Sequence, residues 1–211
     1  MIKILIADDH PLYREALLYA LQMRLDKVKF LESDSLDSVL TAAKKNRNLN
    51  LILLDLSMPG CDDYFGLLKV IETCPDIPIA VISAYDSAEN ISQVMAFGAK
   101  AFIPKSTSTD ELIDVIQKVL DGETWTPPEV TDALESVNDN IIEIAKQVAQ
   151  LTPKQFNVLR LLREGMMNKQ IAAQLNVTEA TVKAHIGAIL KQLDVKSRTQ
   201  ILLKTEKLQL N

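Results

Sequence analysis

The chain has 211 residues, 47% of them apolar and 24% charged, with two cysteines and a formal net charge of −5. That length suits one large domain or two small ones, and the composition excludes a disordered or fibrous chain. The longest apolar runs, Ile4–Ala7 and Leu51–Leu54, fall far short of the ~20 residues that span a bilayer. Asp8 and Asp9 interrupt any secretory leader, and the lone Cys61 and Cys74 make neither a disulfide framework nor a metal spacing. Reduced thiols in a cytoplasmic protein without membrane association are expected.

Residues 1–122 alternate short apolar runs with helix-length amphipathic stretches. The runs are Ile2–Ala7, Val28–Leu31, Leu51–Leu54, Ile77–Ile82 and Ala101–Ile103. They are rich in Ile, Leu and Val without polar alternation, as suits parallel strands buried on both faces. Ser35 opens one intervening helix, Ser108 and Glu111 have capping-box spacing, and Gly122 follows the last turn. Five βα units predict an α/β fold with a five-stranded, doubly wound parallel sheet in flavodoxin-like order.

Residues 123–150 read as a linker. Pro127 and Pro128 forbid a continuous helix there. Leu134, Val137, Ile141, Ile144, Val148 and Leu151 then recur at 3-4-3-4-3 spacing, one face of an amphipathic helix. This seam is too short for a secure coiled coil, so the helix is expected to dock against one of the two domains. Residues 151–211 carry helical signals only. Thr152, Pro153 and Gln155 make an N-cap, a first-turn proline and a capping-box partner. Gly165 ends that helix, Asn168 caps a second, Asn176-Val177 turns the chain, and Thr178 caps a third. In the third, Val182, Ile186, Ile189 and Leu193 face the core at 4-3-4 spacing. Ser197 opens a last helix. Two short helices joined by a tight turn form a helix-turn-helix, the smaller all-α domain.

Charge divides along the same line. Residues 1–150 hold 13 Lys and Arg against 24 Asp and Glu, and residues 151–211 hold 10 against 4. A basic tail on an acidic half suits either a polyanionic partner or a solvated face, and the helix-turn-helix points to double-stranded DNA.

Asp8 and Asp9 close the first strand and Asp55 the third. In the strand order 2-1-3-4-5 these strands are neighbours, and ligands bind beyond their carboxyl ends. Three uncompensated carboxylates would force one to stay protonated. A hard divalent cation removes the conflict, and oxygen ligands with room for waters suit Mg2+. Ser83 closes the fourth strand and Lys105 follows the fifth. A carboxylate can attack phosphorus to give an aspartyl phosphate, with the metal bridging carboxylate and phosphoryl oxygens. Lys105 pairs with the phosphate charge and Ser83 donates to it. Asp9 holds the metal, with Asp8 close behind, and the central Asp55 is the nucleophile. Strand-end aspartates can instead cap the following helices, a reading that suits one of them better than all five groups together. His10 reads as a solvated loop or cap residue rather than a phosphocarrier, and Met58 and Pro59 as loop-shaping residues.

Asp8-Asp9-His10, Asp55-Leu-Ser-Met58-Pro59-Gly60, Ser83-Ala84, Gly98-Ala99 and Phe102-Ile-Pro-Lys105 resemble the response-regulator receiver domain. Leu151-Thr-Pro, Glu164-Gly165, Asn168-Lys169-Gln-Ile171-Ala172, Leu175-Asn-Val177, Thr181-Val182-Lys183-Ala-His185, Leu193-Asp-Val195 and Arg198-Thr-Gln200 resemble the LuxR-type DNA-binding domain. Together they resemble the NarL/FixJ type of two-component response regulator: a receiver at 1–122, a linker at 123–150 and a helix-turn-helix domain at 151–211. The resemblance implies phosphorylation of Asp55 by a partner histidine kinase, or by small acyl phosphates. It also implies a metal contact from the backbone carbonyl of Ser57, and a switch pair, Ser83 and Phe102, whose hydroxyl moves toward the phosphoryl group as the ring turns inward. Two positions depart from the pattern: Ser106 replaces the frequent proline after the lysine, and Gln155 the usual acid early in the first helix of the tail.

On the third helix of the tail, Thr181, Lys183, Ala184, Gly187, Ala188 and Lys191 avoid the buried stripe. Lys183 reads as the best base or phosphate contact, and Lys169 and Lys191 as phosphate contacts that position without specifying. Ala184 can touch only apolar groups such as a thymine methyl. Gly187 allows drift, close helix packing or close approach to DNA. With so few hydrogen-bonding groups, recognition leans on DNA shape. His185 is expected to pack partly.

The expected function is therefore a non-enzymatic, phosphorylation-dependent, DNA-binding transcription regulator that pairs as a homodimer when phosphorylated. The alternatives are a phosphorylation-independent regulator and a small-phosphate aspartyl phosphatase. The phosphatase needs a second acid two residues after the nucleophile, where Ser57 stands. A flavin module lacks its phosphate loop.

Overall fold

The computed structural model describes residues 1–208 apart from 26, 62, 63, 129 and 131–138, with the side chains of 139–142 and 207 also outside the description. The chain divides into two compact units, Met1–Val137 and Asn138–Asn211.

In the first unit, β1 (Ile2–Ala7), β2 (Val28–Ser33), β3 (Leu51–Asp55), β4 (Ile79–Ser83) and β5 (Ala101–Pro104) form one parallel sheet in the order β2-β1-β3-β4-β5, as the sequence predicts. The intervening helices are α1 (Pro11–Arg24), α2 (Leu36–Lys45), α3 (Phe65–Thr73), α4 (Ala88–Ala96) and α5 (Thr109–Leu120). Side chains alternate across a strand. Ile4 and Ile6, Leu51 and Leu53, Ala80 and Ile82, and Ala101 and Ile103 share a core with Leu17 and Leu21 of α1 and Leu112, Val115, Ile116 and Val119 of α5. The alternate residues Leu5, Ile52, Leu54, Val81 and Phe102 are buried too, so both sheet faces are covered. This explains the unbroken apolar runs.

The expected caps form at Ser35 and Ser108, and Ser108 Oγ accepts from the Glu111 N–H. The first compact unit runs on past residue 122. Trp125 makes a parallel bridge with Ala101, its N–H donating to the Lys100 carbonyl and its carbonyl accepting from the Phe102 N–H. The chain thus adds one rung to the open edge of β5 before it leaves the sheet.

The second unit holds α6 (Asp139–Ala149), α7 (Pro153–Arg163), α8 (Asn168–Gln174), α9 (Glu179–Gln192), α10 (Arg198–Thr205) and a 3₁₀ turn, Glu206–Leu208. Leu134 and Val137 of the expected seam, and the side chain of Ile141, lie outside the described residues. Ile144, Val148 and Leu151 are buried, and α6 packs against the 3₁₀ turn within its own unit. This helix lies within the second compact unit. Thr152 and Gln155 form the expected reciprocal cap, with Thr152 N–H donating to Gln155 Oε1 at 2.8 Å. Asn168 was expected to cap α8 but is its first residue. Met167 takes the cap position, where Gln170 Oε1 accepts from the Met167 N–H at 2.7 Å. Asn176 makes the turn between α8 and α9 in the left-handed region, at φ 53°, which its short polar side chain tolerates.

Candidate functional site

The acidic site forms at the carboxyl ends of β1 and β3. Both strands end pointing the same way because the sheet is parallel, so Asp8 and Asp55 meet without a loop reaching across. Asp8 and Asp55 are 2% and 1% exposed. Asp8 Oδ1 accepts from the His10 N–H at 2.8 Å. Asp55 Oδ1 accepts from the Ser57 N–H at 3.0 Å. Lys105 Nζ spans the pair, 2.8 Å from Asp8 Oδ2 and 2.9 Å from Asp55 Oδ2. Burial alone would lower the Lys105 pKa, but its bonds to Asp8 and Asp55 outweigh that and raise it. The ammonium stays charged.

His10 is the N-cap residue of α1, with Pro11 in the first turn. Its ring is largely exposed, with Nδ1 2.9 Å from Asp9 Oδ1 and 3.2 Å from Asp8 Oδ1. That fits the expected loop-and-cap role. Ser83 is buried at the end of β4, its Oγ accepting from the Tyr85 N–H at 3.1 Å. Its carbonyl accepts from the Lys105 N–H at 2.8 Å, which fixes the start of the lysine loop against β4. Among the described residues no peptide bond is cis, so Ser106 follows a trans bond. Phe102 is fully buried. The inward turn expected of this ring therefore has no outward starting point in this structure.

Asp8, Asp9, His10 and Asp55 each place one ligand atom so that all lie within 4.8 Å of one another. Asp9 Oδ1 is buried and faces His10 Nδ1 at 2.9 Å. Three carboxylates with oxygens gathered this closely fit a hard divalent cation.

Two contributors escaped the sequence reading. Tyr13 puts its ring under Lys105 Nζ, 4.7 Å from ring centre to nitrogen. Burial raises its pKa, as do the Asp8 and Asp55 charges, while Lys105 opposes them. Arg14 donates from Nη1 to the Asp8 carbonyl at 2.6 Å and from Nε to Glu32 Oε2 at 2.9 Å, clamping the acidic loop to β2. The available signal was helical spacing: Tyr13, Leu17 and Leu21 share the sheet-facing side of α1, with Tyr13 nearest the strand ends.

In the second unit, Lys169, Lys183, Ala184, Gly187 and Lys191 are exposed, and Val182, Ile189 and Leu193 are fully buried. Ile186, expected in the core, is only half-buried, as is His185. Thr181 is half-buried and shares a 2.9 Å hydroxyl contact with the N-cap Thr178. Gly187 has nothing within 4 Å of where a Cβ would stand, which removes close packing within this unit as its reason.

Two family patterns and several known proteins match this chain. The response regulator receiver domain pattern matches residues 4–117, and the pattern of bacterial regulatory proteins of the luxR family matches residues 149–205. The chain is 38% identical to a glycerol metabolism activator of Pseudomonas putida over 208 residues, covering 96% of this chain and 94% of that one. It is 31% identical to the nitrate/nitrite response regulator NarL of Escherichia coli K12, covering 93% and 91%. Among solved structures it resembles RcsB of Salmonella enterica serovar Typhimurium bound to promoter rprA with phosphomimetic BeF3-. That match has a TM-score of 0.54, 25% identity, and coverage of 99% and 100%. Receiver, helix-turn-helix and whole-chain similarity lead to one conclusion: this chain belongs to the NarL/FixJ type of response regulators, a receiver domain joined to a LuxR-type DNA-binding domain.

Proposed function

We propose that Asp55 is the phosphoacceptor through which this DNA-binding transcription regulator is controlled, with a sensor histidine kinase as the donor. One observation carries the reading: Asp55 is buried with Oδ1 held by the Ser57 N–H and Oδ2 held by Lys105. Its carboxylate is oriented at both oxygens, as an in-line attack on phosphorus requires. The carboxylate displaces the donor's histidine nitrogen or acyl oxygen from phosphorus. Lys105 then pairs with the transferred phosphoryl oxygens, and Ser83 turns its hydroxyl from the Tyr85 amide toward them. Ser83 and Phe102 form the switch, with Ser83 the moving member. Asp8, Asp9, Asp55 and the Ser57 carbonyl would hold Mg2+, which supplies charge neutralisation to carboxylate and phosphoryl oxygens when bound.

Lys183 and Thr181 on α9 face base edges or phosphate, Ala184 and Gly187 let the helix sit close, and Lys169 and Lys191 meet phosphates. Helix-turn-helix domains read paired half-sites as dimers, so the phosphorylated chain acts as a homodimer on duplex DNA in the cytoplasm. The RcsB complex, with DNA and a phosphomimetic together, supports coupling of the two sites. Ser57 in place of a second acid speaks against phosphatase turnover.

The test combines labelling and DNA binding. With Mg2+ and a small acyl phosphate, the wild-type chain is expected to take one hydroxylamine-labile phosphoryl group and to bind DNA more tightly. Asp55→Asn is expected to lose both effects. A label that survives in the variant overturns Asp55 as acceptor, and DNA affinity indifferent to the label favours the phosphorylation-independent alternative.

A further inference from the structure

Lys105 has a third neighbour besides its two carboxylates. Tyr13 lies in the first turn of α1, half-buried and packed against the core that α1 and α5 share with the sheet. Its ring centre is 4.7 Å from Lys105 Nζ, within cation–π reach. Resting on the assignment of Asp55 as acceptor, we propose that Tyr13 is a positioning residue. Its ring face retains the Lys105 ammonium at the site while the carboxylates change partners.

The need for such a partner follows from the charges. Lys105 is held by Asp8 Oδ2 at 2.8 Å and Asp55 Oδ2 at 2.9 Å. A divalent cation at this cluster draws on the same carboxylates and repels the ammonium. Phosphorylation turns one Asp55 oxygen into an acyl phosphate oxygen and removes the carboxylate charge. Each event weakens the hold on Lys105 at the moment its charge is needed beside the phosphoryl group. An aromatic face competes for no metal and is consumed by no step. Its attraction grows with desolvation, and the Lys105 side chain is only 19% exposed. Arg14, the next residue, fixes the same turn of α1 by its bond to the Asp8 carbonyl, so the ring is held in register with the acidic loop.

The experiment uses the full-length chain and two readouts. By NMR, the Lys105 ε-methylene protons are expected upfield of those of the exposed lysines through ring-current shielding. Tyr13→Phe is expected to keep this shift and Tyr13→Leu to lose it. At saturating Mg2+, labelling by a small acyl phosphate is expected to stay within about twofold of wild type in Tyr13→Phe. It is expected to fall about three- to tenfold in Tyr13→Leu, the span of a partly buried cation–π contact. In a Lys105→Ala background, Tyr13→Leu is expected to add nothing, since the two residues act as one unit. An unshifted Lys105 in the wild type, a Phe variant as slow as the Leu variant, or an equal loss without Lys105 each overturns the proposal. If Tyr13→Leu does not fold, the wild-type shift and the Phe variant decide. A label that persists in Asp55→Asn strikes the acceptor assignment instead, and the Lys105 shift still tests the contact.

Discussion

Gly66, at the start of α3, occupies a place where a methyl group does not fit. An added Cβ would stand 2.5 Å from Cys61 Sγ and 2.7 Å from Cys61 Cα and Cβ. The backbone cannot simply move aside, because the Gly66 N–H donates to the Cys61 carbonyl at 2.7 Å. Cys61 in turn lies in the segment that follows Asp55, its Sγ 3.8 Å from the Asp55 carbonyl. Gly66 is thus tied to Asp55 through one residue, a link that sequence spacing alone does not display. Gly66→Ala is expected to destabilise the first unit by about 1–3 kcal/mol, the usual cost of overpacking a core. That lowers its melting temperature by roughly 5–10 °C. Because the strain falls on the Asp55 loop, Mg2+-dependent labelling is expected to slow as well. Calorimetry and labelling on the same sample check both effects, and an unchanged melting temperature would show that the Cys61 loop yields freely.

At the scale of the element, α9 combines two opposed demands. Val182 and Ile189 are buried with Ile186 half-buried between them, and Gly187 stands on the exposed side with open space around it. Glycine in a helix interior costs about 1 kcal/mol relative to alanine, and no neighbour in the unit explains its presence. Gly187→Ala is therefore expected to stabilise the second unit by up to ~1 kcal/mol, while weakening DNA binding if the helix approaches DNA closely there. Melting and DNA affinity moving in opposite directions would support close approach, and a stabilised variant with unchanged affinity would leave only drift. The elements themselves were legible wherever the signal was local. Ser35, Ser108, Thr152, Thr178 and Ser197 all cap helices as expected, because cap chemistry acts within three residues. Unbroken Ile, Leu and Val runs, buried on both faces, likewise gave the strands. The site was legible because strand ends gather in a parallel sheet, which brought Asp8, Asp55 and Lys105 together from distant segments. What escaped depends on contacts that no periodicity encodes: the Trp125 rung on β5, the Arg14 clamp and the ring under Lys105. Met167 displaced Asn168 as the α8 cap for a local reason. Gln170 bonds the Met167 amide, so the reciprocal bond fixes the helix start one residue earlier than the asparagine suggested.

Across the whole molecule, charge follows the two units. Asn138–Asn211 holds 11 Lys and Arg against 6 Asp and Glu, and Met1–Val137 holds 12 against 22. Not all the positive charge of the second unit is free for DNA. Arg198 donates to the Met166 carbonyl at 2.6 Å, beyond the end of α7, and Lys204 to the Leu193 carbonyl at 2.6 Å, at the end of α9. The Leu193 carbonyl is one that the end of α9 leaves orphaned. The fold of the second unit is set by packing as well as charge, and α6 belongs to that unit. Ile144 is 4% exposed, and Val148, Leu151 and Leu208 are fully buried. Gln192, at the end of α9, donates to Gln150 Oε1 at 2.6 Å. A fully buried Ile or Val side chain contributes about 1.5–3 kcal/mol, partly offset by the entropy of ordering the helix. A chain of residues 138–211 is expected to fold and bind duplex DNA with strong salt dependence. A chain of residues 151–211 is expected to melt roughly 10 °C lower, yet to bind DNA with similar affinity below its melting point, since α6 supplies none of the proposed DNA contacts. Equal melting temperatures would mean that α6 adds nothing to the unit and is free to act as a pairing seam. A lower one for the shorter chain means that Ile144 and Val148 already belong to the core of this unit, so a dimer formed through them would first have to unpack it.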